Sequence, residues 1–288
     1  MPARRMSFDE GLQTLPKHFA LDGDLVSSHL IAALTALFPD GEDYFVRSVR
    51  HYRSEITDPV LKRQVAGFIG QESIHGREHR VFNKHLAKLG YQTKQNEWIT
   101  RKALGLRERM APPISNLAAT AALEHFTATL AELTLTYPEI RDLMGHETVR
   151  DLFVWHALEE SEHKAVAFDV YRAVGGSERM RIVTMKVIRN GFVLGLITQI
   201  AASLLFDKAT YEKGRLRKSI RRVAASPMFS REVWNTLKAY DRKGFHPNDI
   251  DNTALMLEWR EKLFGDDGDY VFYLQTPGSG NRTEGDKV

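Results

Sequence analysis

The sequence predicts an all-α protein, a four-helix bundle with a long crossover and additional C-terminal helices. Apolar residues recur at three- and four-residue steps along most of the 288 residues, with no convincing run of alternation. Proline, glycine and capping residues cut that pattern into segments of helix length. Ionisable residues interrupt the apolar faces of four segments at helical spacing, which groups them inside a bundle.

Residues Leu25 to Leu37 read as a short apolar helix that Pro39 interrupts, with Asp40 capping a helix to about Arg53. Thr57-Asp58-Pro59 gives a cap followed by proline at the first helical position, and Gly90 ends that second helix. Residues 91–113, polar and basic and finishing in Pro112-Pro113, read as a long connection. A third helix spans about Ser115 to Thr136, before Pro138. A fourth runs from about His146 to Val174, before Gly175-Gly176. Beyond it come a hydrophobic helix from Arg181 to Phe206, the basic run KGRLRKSIRR at 213–222 and two short helices within 228–264. The expected organisation is a bundle at 20–174, accessory helices at 175–272 and a disordered Gly-, Ser- and charge-rich tail at 273–288.

Composition excludes several function classes. With 43% apolar and 27% charged residues the chain is globular. A formal charge of +3 is too small to argue for nucleic acid, and none is expected as a partner. The chain has no cysteine, so thiolate metal sites, iron–sulfur clusters and cysteine nucleophiles are excluded, and a cytosolic address is the default expectation. The basic N-terminus lacks the apolar core of a secretory signal.

The chemistry lies in the interrupted faces. On the second helix the stripe Val65, Phe68, Ile69, Phe82, Leu86, Leu89 passes through Glu72, His75 and His79. At about 100° per residue, Glu72 and His79 stand roughly 20° apart and His75 about 60° from Glu72. On the fourth helix the face of Leu152, Phe153, Val166, Ala167 and Val170 continues through His156, Glu160 and His163. Glu160 and His163 repeat the Glu-x-x-His spacing of Glu72 and His75. Glu124 is the one carboxylate in the seam Leu117, Ala121, Ala128, Ala131, Leu135, and Glu42 precedes Phe45, Val49 and Tyr52.

Burying four carboxylates uncompensated would cost several kcal/mol each. Two divalent cations offset four glutamates, and four-helix di-metal carboxylate proteins take one Glu from each of two helices and one Glu-x-x-His from each of the others. The order Glu42, Glu72/His75, Glu124, Glu160/His163 matches. A single Glu-x-x-His is common and uninformative; two of them, each paired with an inward Glu, form a specific set. Each residue alone has a bland alternative. Glu42, in the first turn after Pro39-Asp40-Gly41, is the weakest ligand, because an acidic residue there also serves the helix dipole. Glu159 and Glu162 compete with Glu160, which helical phase favours. His79 and His156 either complete the metal shells, hydrogen-bond them or handle protons. His125 points about 100° from Glu124 and reads as an interhelical hydrogen bond.

The segments FPDGEDYFVRSVRHY (38–52), QESIHGREH (71–79), ALEHFTATLAE (122–132) and ALEESEHKAVAFDVY (157–171) resemble a bacterial family described as predicted metal-dependent hydrolases, within the ferritin-like fold. The similarity covers most of residues 15–265. The ligand order also resembles di-iron oxidases and oxygenases, which implies iron at Glu42, Glu72, His75, Glu124, Glu160 and His163. It names no substrate.

Oxygen and imidazole donors suit iron or manganese, with zinc as an alternative. The site is expected to hold two Fe ions that activate dioxygen to oxidise an apolar or lipid-like small molecule. The alternatives are hydrolysis of an ester or amide by metal-activated water and a non-enzymatic iron-binding or ferroxidase protein. Asn190 to Phe206 carries no charge, but 17 residues fall slightly short of the roughly 20 that span a bilayer. A buried helix covering the bundle is the plainer reading; peripheral membrane contact through 186–222 is the functional one. The sequence admits a homodimer without specifying it.

Overall fold

The computed structural model describes residues 1–275, and among them the regular structure is helical. In chain order the helices are α1 (Asp9–Leu12), α2 (Leu25–His51), α3 (Pro59–Lys88), α4 (Thr93–Met110), α5 (Pro113–Thr136), α6 (Pro138–Leu143), α7 (Glu147–His163), α8 (Val166–Ala173), α9 (Glu178–Leu205), α10 (Arg215–Ala224), α11 (Arg231–Ala239) and α12 (Thr253–Phe264). Local signals set several ends. Asp58 accepts hydrogen bonds from the Val60 and Leu61 amides ahead of Pro59, and Gly90 follows α3 at φ +94°, a conformation that favours glycine.

Tertiary contacts override the sequence expectation at four places. Pro39 does not divide the first segment, because α2 is continuous through it. A mid-helix proline deprives the carbonyl four residues back of its donor; that carbonyl, on Thr35, accepts from Asn83 Nδ2 of α3 at 3.0 Å instead. Residues 93–110 are helical rather than an irregular connection. Their polar side chains find partners at a distance: Arg101 pairs with Asp40, Glu97 accepts from Asn83, and Arg107 bonds Tyr44 and Ser115. The fourth segment breaks between His163 and Val166, where Lys164 Nζ reaches the Ile250 carbonyl and Asn252. The hydrophobic helix α9 is not buried: only Arg181, Met185, Arg189 and Ser203 are buried within it. The expected disordered tail falls mostly outside the described residues. Of its described part, Leu274 bridges to Met6 and the Gln275 amide donates to the Arg5 carbonyl.

Helix α2 packs along α3, and α5 along α7, α8 and α9, with further α2–α5 and α3–α7 contacts. Two large apolar clusters flank the bundle interior, beside a smaller one of Val26, Leu30, Leu34 and Val223. One holds Val49, Val65, Phe68, Leu117, Ala121 and Val170; the other holds Phe82, Leu86, Leu135, Leu152, Trp155 and Leu158. Along α3 and α7–α8 the ionisable residues fall between those clusters, which positions the site in the interior.

Candidate metal centre

All six expected ligands are buried and converge. Glu72, Glu124, Glu160 and His163 place one donor atom each within 4.8 Å of one another, and so do Glu42, Glu72 and His75. Glu160 is the hub: its Oε1 lies 3.7 Å from His75 Nδ1, 3.5 Å from His163 Nε2 and 2.9 Å from His156 Nε2. His163 Nε2 stands 2.9 Å from Glu72 and 3.6 Å from Glu124. Continuity of α2 puts Glu42 mid-helix, so serving a helix N-terminus is not its role. Gly76 on α3 permits this approach, because a Cβ there would stand 3.2 Å from Glu42 Oε2.

These donors fit cations. Both oxygens of Glu42, Glu72 and Glu124, with Glu160 Oε2, His75 Nδ1 and His163 Nε2, are buried without a hydrogen-bond partner among the described residues. Protein interiors rarely leave such atoms unmatched. Here every expected ligand contributes at least one, all aimed at a common space, and a mixed carboxylate–imidazole set suits divalent iron, manganese or zinc.

A surrounding network orients both imidazoles. His75 Nε2 donates to Glu159 at 2.9 Å, and Glu159 accepts from Arg4 at 2.9 Å. His163 Nδ1 donates to Gln71 Oε1 at 3.0 Å; Gln71 Nε2 donates to Glu162, which Arg4 and Arg260 also hold. Glu159 and Glu162, the sequence rivals of Glu160, therefore back the histidines. Arg4 and Gln71 are not legible in the sequence as site residues, since nothing in spacing distinguishes Arg4 or ties it to a helix 155 residues away.

His79 and His156 extend from the hub. An ionised Glu160 can only accept, so His156 Nε2 donates to it at 2.9 Å. His156 Nδ1 then accepts from His79 Nε2, and His79 Nδ1 from the Thr35 hydroxyl, each at 2.7 Å. Three groups form a directed chain ending on Glu160. Glu42, His79 and His156 are also close enough to share a cation.

Burial, reinforced by neighbouring carboxylates, raises Glu42 and Glu124 well above the usual carboxylate range and raises Glu72. Burial opposes ionisation of Glu160 too, but His163 and His156 outweigh it and hold Glu160 low. His163 is held high by Glu160 and Glu72 against burial, while burial drives His75 and His79 down. Without cations, Glu42, Glu72 and Glu124 each hold a proton to higher pH than an ordinary carboxyl does. Cations must displace those protons, so affinity should rise with pH. Calorimetry in two buffers of different ionisation enthalpy should show proton release on metal binding and at least a tenfold gain in affinity over about two pH units; pH-independent affinity would contradict this protonation scheme.

Two apolar cavities reach the hub. The larger, about 390 Å³, lies among α2, α4, α5 and α9; its walls include Phe45, Leu104, Phe126 and Phe192, and it ends on Glu42 and Glu160. A narrower one of about 60 Å³ is lined by Leu34, Leu130 and Phe153 and reaches His156 and Glu160.

Other histidines serve structure. His125 bonds the Thr236 carbonyl of α11 at 2.9 Å, as the helical phase predicts, and burial pushes it down to about 4. His18 and His29 both hydrogen-bond Asp207, but Lys17 already compensates that carboxylate, and their other ring nitrogens bond Arg215 and Ser203. That cluster ties the end of α9 to the N-terminal segment and needs no cation.

Comparison with curated proteins gives no match, and comparison with solved structures gives none. A family profile described as predicted metal-dependent hydrolase matches residues 2–251, so the chain belongs to the predicted metal-dependent hydrolase family.

Proposed function

We propose that this protein is a di-iron carboxylate oxidase or oxygenase acting on an apolar, lipid-like small molecule, and that α2, α3, α5 and α7 form a ferritin-like four-helix bundle. Glu124 and His163 would hold one cation, Glu42 and His75 the other, with Glu72 and Glu160 within reach of both. Bound iron would supply reduction of dioxygen and oxidation of the substrate. The chain's own residues do the rest. The aromatic and aliphatic walls of the 390 Å³ cavity bind the apolar substrate and exclude water. Thr35, His79 and His156 pass a proton towards Glu160. Arg4 and Glu162 keep both imidazoles aligned.

The observation that carries this reading is an apolar cavity ending on two of the carboxylates. Apart from those, its polar lining consists of Thr100, Thr127 and Gln199. The family description favours a second reading, in which the same cations activate water to cleave an ester.

Anaerobic reconstitution with Fe(II), metal counting and then exposure to oxygen tests the choice. About two irons per chain, oxygen consumption and an oxidised organic product are expected. Zinc binding with acid and alcohol products and no oxygen uptake would replace oxidation by hydrolysis; iron oxidation with no organic product would indicate a ferroxidase. A further expectation concerns Gly195, which lines the cavity and whose added Cβ would meet nothing within 4 Å. Gly195→Leu should keep both metals and reduce turnover of a long-chain substrate about tenfold or more, since even a small misplacement of the reacting carbon is costly. Unchanged turnover would place the substrate elsewhere.

A further inference from the structure

The outer face of α9 is apolar and, among the described residues, uncovered. Val183, Val187, Leu194, Ile197 and Leu205 are all more than half exposed, and Phe206 is 75% exposed. Across the large cavity, α4 presents Trp98 at 57% and Leu106 at 56% exposure. The two surfaces are joined by the cavity itself: Ile99 of α4 and Val187 of α9 line it and are also exposed, so its mouth opens between these helices. The charge nearby is mainly basic, although Arg215 pairs with Glu212 and Arg222 with Asp22. No acidic residue occurs between Glu178 and Asp207, and α10 carries five basic residues, Arg215, Arg217, Lys218, Arg221 and Arg222, with no acidic one. Such large exposed apolar surfaces on a soluble protein mark an interaction site.

We propose that the α4–α9 face docks on an anionic phospholipid bilayer, so that the cavity mouth opens onto the acyl layer and the metal centre draws its apolar substrate from lipid. The proposal rests on the cavity being the substrate site. An apolar strip with aromatic residues, beside a cationic helix, has the composition that seats at the headgroup–acyl boundary. A bilayer fits better than a second copy of the chain, which would cover the cavity mouth and shut the substrate out. Docking also gives the exposed strip a solvent at no cost to access.

Sedimentation of the full chain with phosphatidylcholine vesicles, with and without phosphatidylglycerol, tests this. Binding should require phosphatidylglycerol and weaken as salt rises. Leu194→Glu with Ile197→Glu, both exposed and outside the cavity lining, should lower partitioning about 100-fold, roughly tenfold for each apolar side chain lost. Lys218→Glu with Arg221→Glu should remove the dependence on phosphatidylglycerol. Unchanged helicity and metal content show that the variants fold. A wild-type chain that stays in the supernatant with phosphatidylglycerol vesicles at low salt overturns the proposal. So does a dimer that Leu194→Glu splits without any vesicle binding, which would make the face an interface between copies. Vesicle binding without oxygen consumption sinks the oxidative reading and leaves docking intact; oxygen consumption with a dispersed apolar substrate and no vesicle binding does the reverse.

Discussion

Replacing Glu124 by glutamine should abolish high-affinity metal loading and, at neutral pH, stabilise the metal-free protein. Glu124 is buried with both oxygens unpartnered and faces Glu72 and Glu160. Burial first, then those two carboxylates, raises its pKa well above the ordinary value. A carboxyl raised in the folded state favours folding in its protonated form. As pH rises through the unfolded value of about 4.3, folding is penalised increasingly. A neutral amide carries no such penalty and can donate to its carboxylate neighbours. The expected gain without metal is about 1–3 kcal/mol at neutral pH, vanishing near the unfolded carboxyl value. With Fe(II) or Mn(II) at about 100 times its dissociation constant, the wild type gains about 2.7 kcal/mol per site and the order reverses. Urea unfolding of both proteins, with and without metal, measures this. A variant less stable than wild type in the absence of metal at neutral pH would mean that Glu124 is satisfied by protein contacts alone.

Arg4→Ala should weaken metal binding about 10- to 100-fold, the usual consequence of losing an outer partner of a ligand, although Arg4 touches no ligand. Its guanidinium holds Glu159, which receives His75, and Glu162, which receives Gln71 and through it His163. Glu162 keeps Arg260, but Glu159 loses its cation. Burial has already pushed Glu159 up to about 7 despite Arg4. Removing Arg4 leaves Glu159 a buried carboxyl that must take up a proton or stay unmatched, at a cost of up to about 3–5 kcal/mol. Arg4→Lys restores charge without the fork and should recover part of the loss. Chelator competition and thermal unfolding read the two effects separately. Wild-type affinity in a folded Arg4→Ala protein would show that the imidazoles are aligned by packing alone.

What the sequence determined by itself is periodic and local. Glu72, His75, Glu160 and His163 were recoverable because a 3.6-residue repeat places them on the same faces as Val65, Phe68, Leu152 and Val170, and the two Glu-x-x-His spacings reinforce one another. The cap at Asp58 and the stop at Gly90 follow from their own side chains and backbone. Tertiary structure decided what depends on a partner far along the chain. Pro39 sits within a helix because Asn83 satisfies the carbonyl it strands, and that continuity makes Glu42 an interior residue. Helix α4 orders because its polar side chains meet those of α2, α3 and α5. Arg4 joins the candidate metal centre only because the N-terminal segment lies against α7, a contact that no spacing encodes. Hydropathy reports that α9 is apolar without distinguishing an interior helix from an exposed one, since it depends on side-chain types and not on what covers them. Only its packing, on one face with the other left open, makes that distinction.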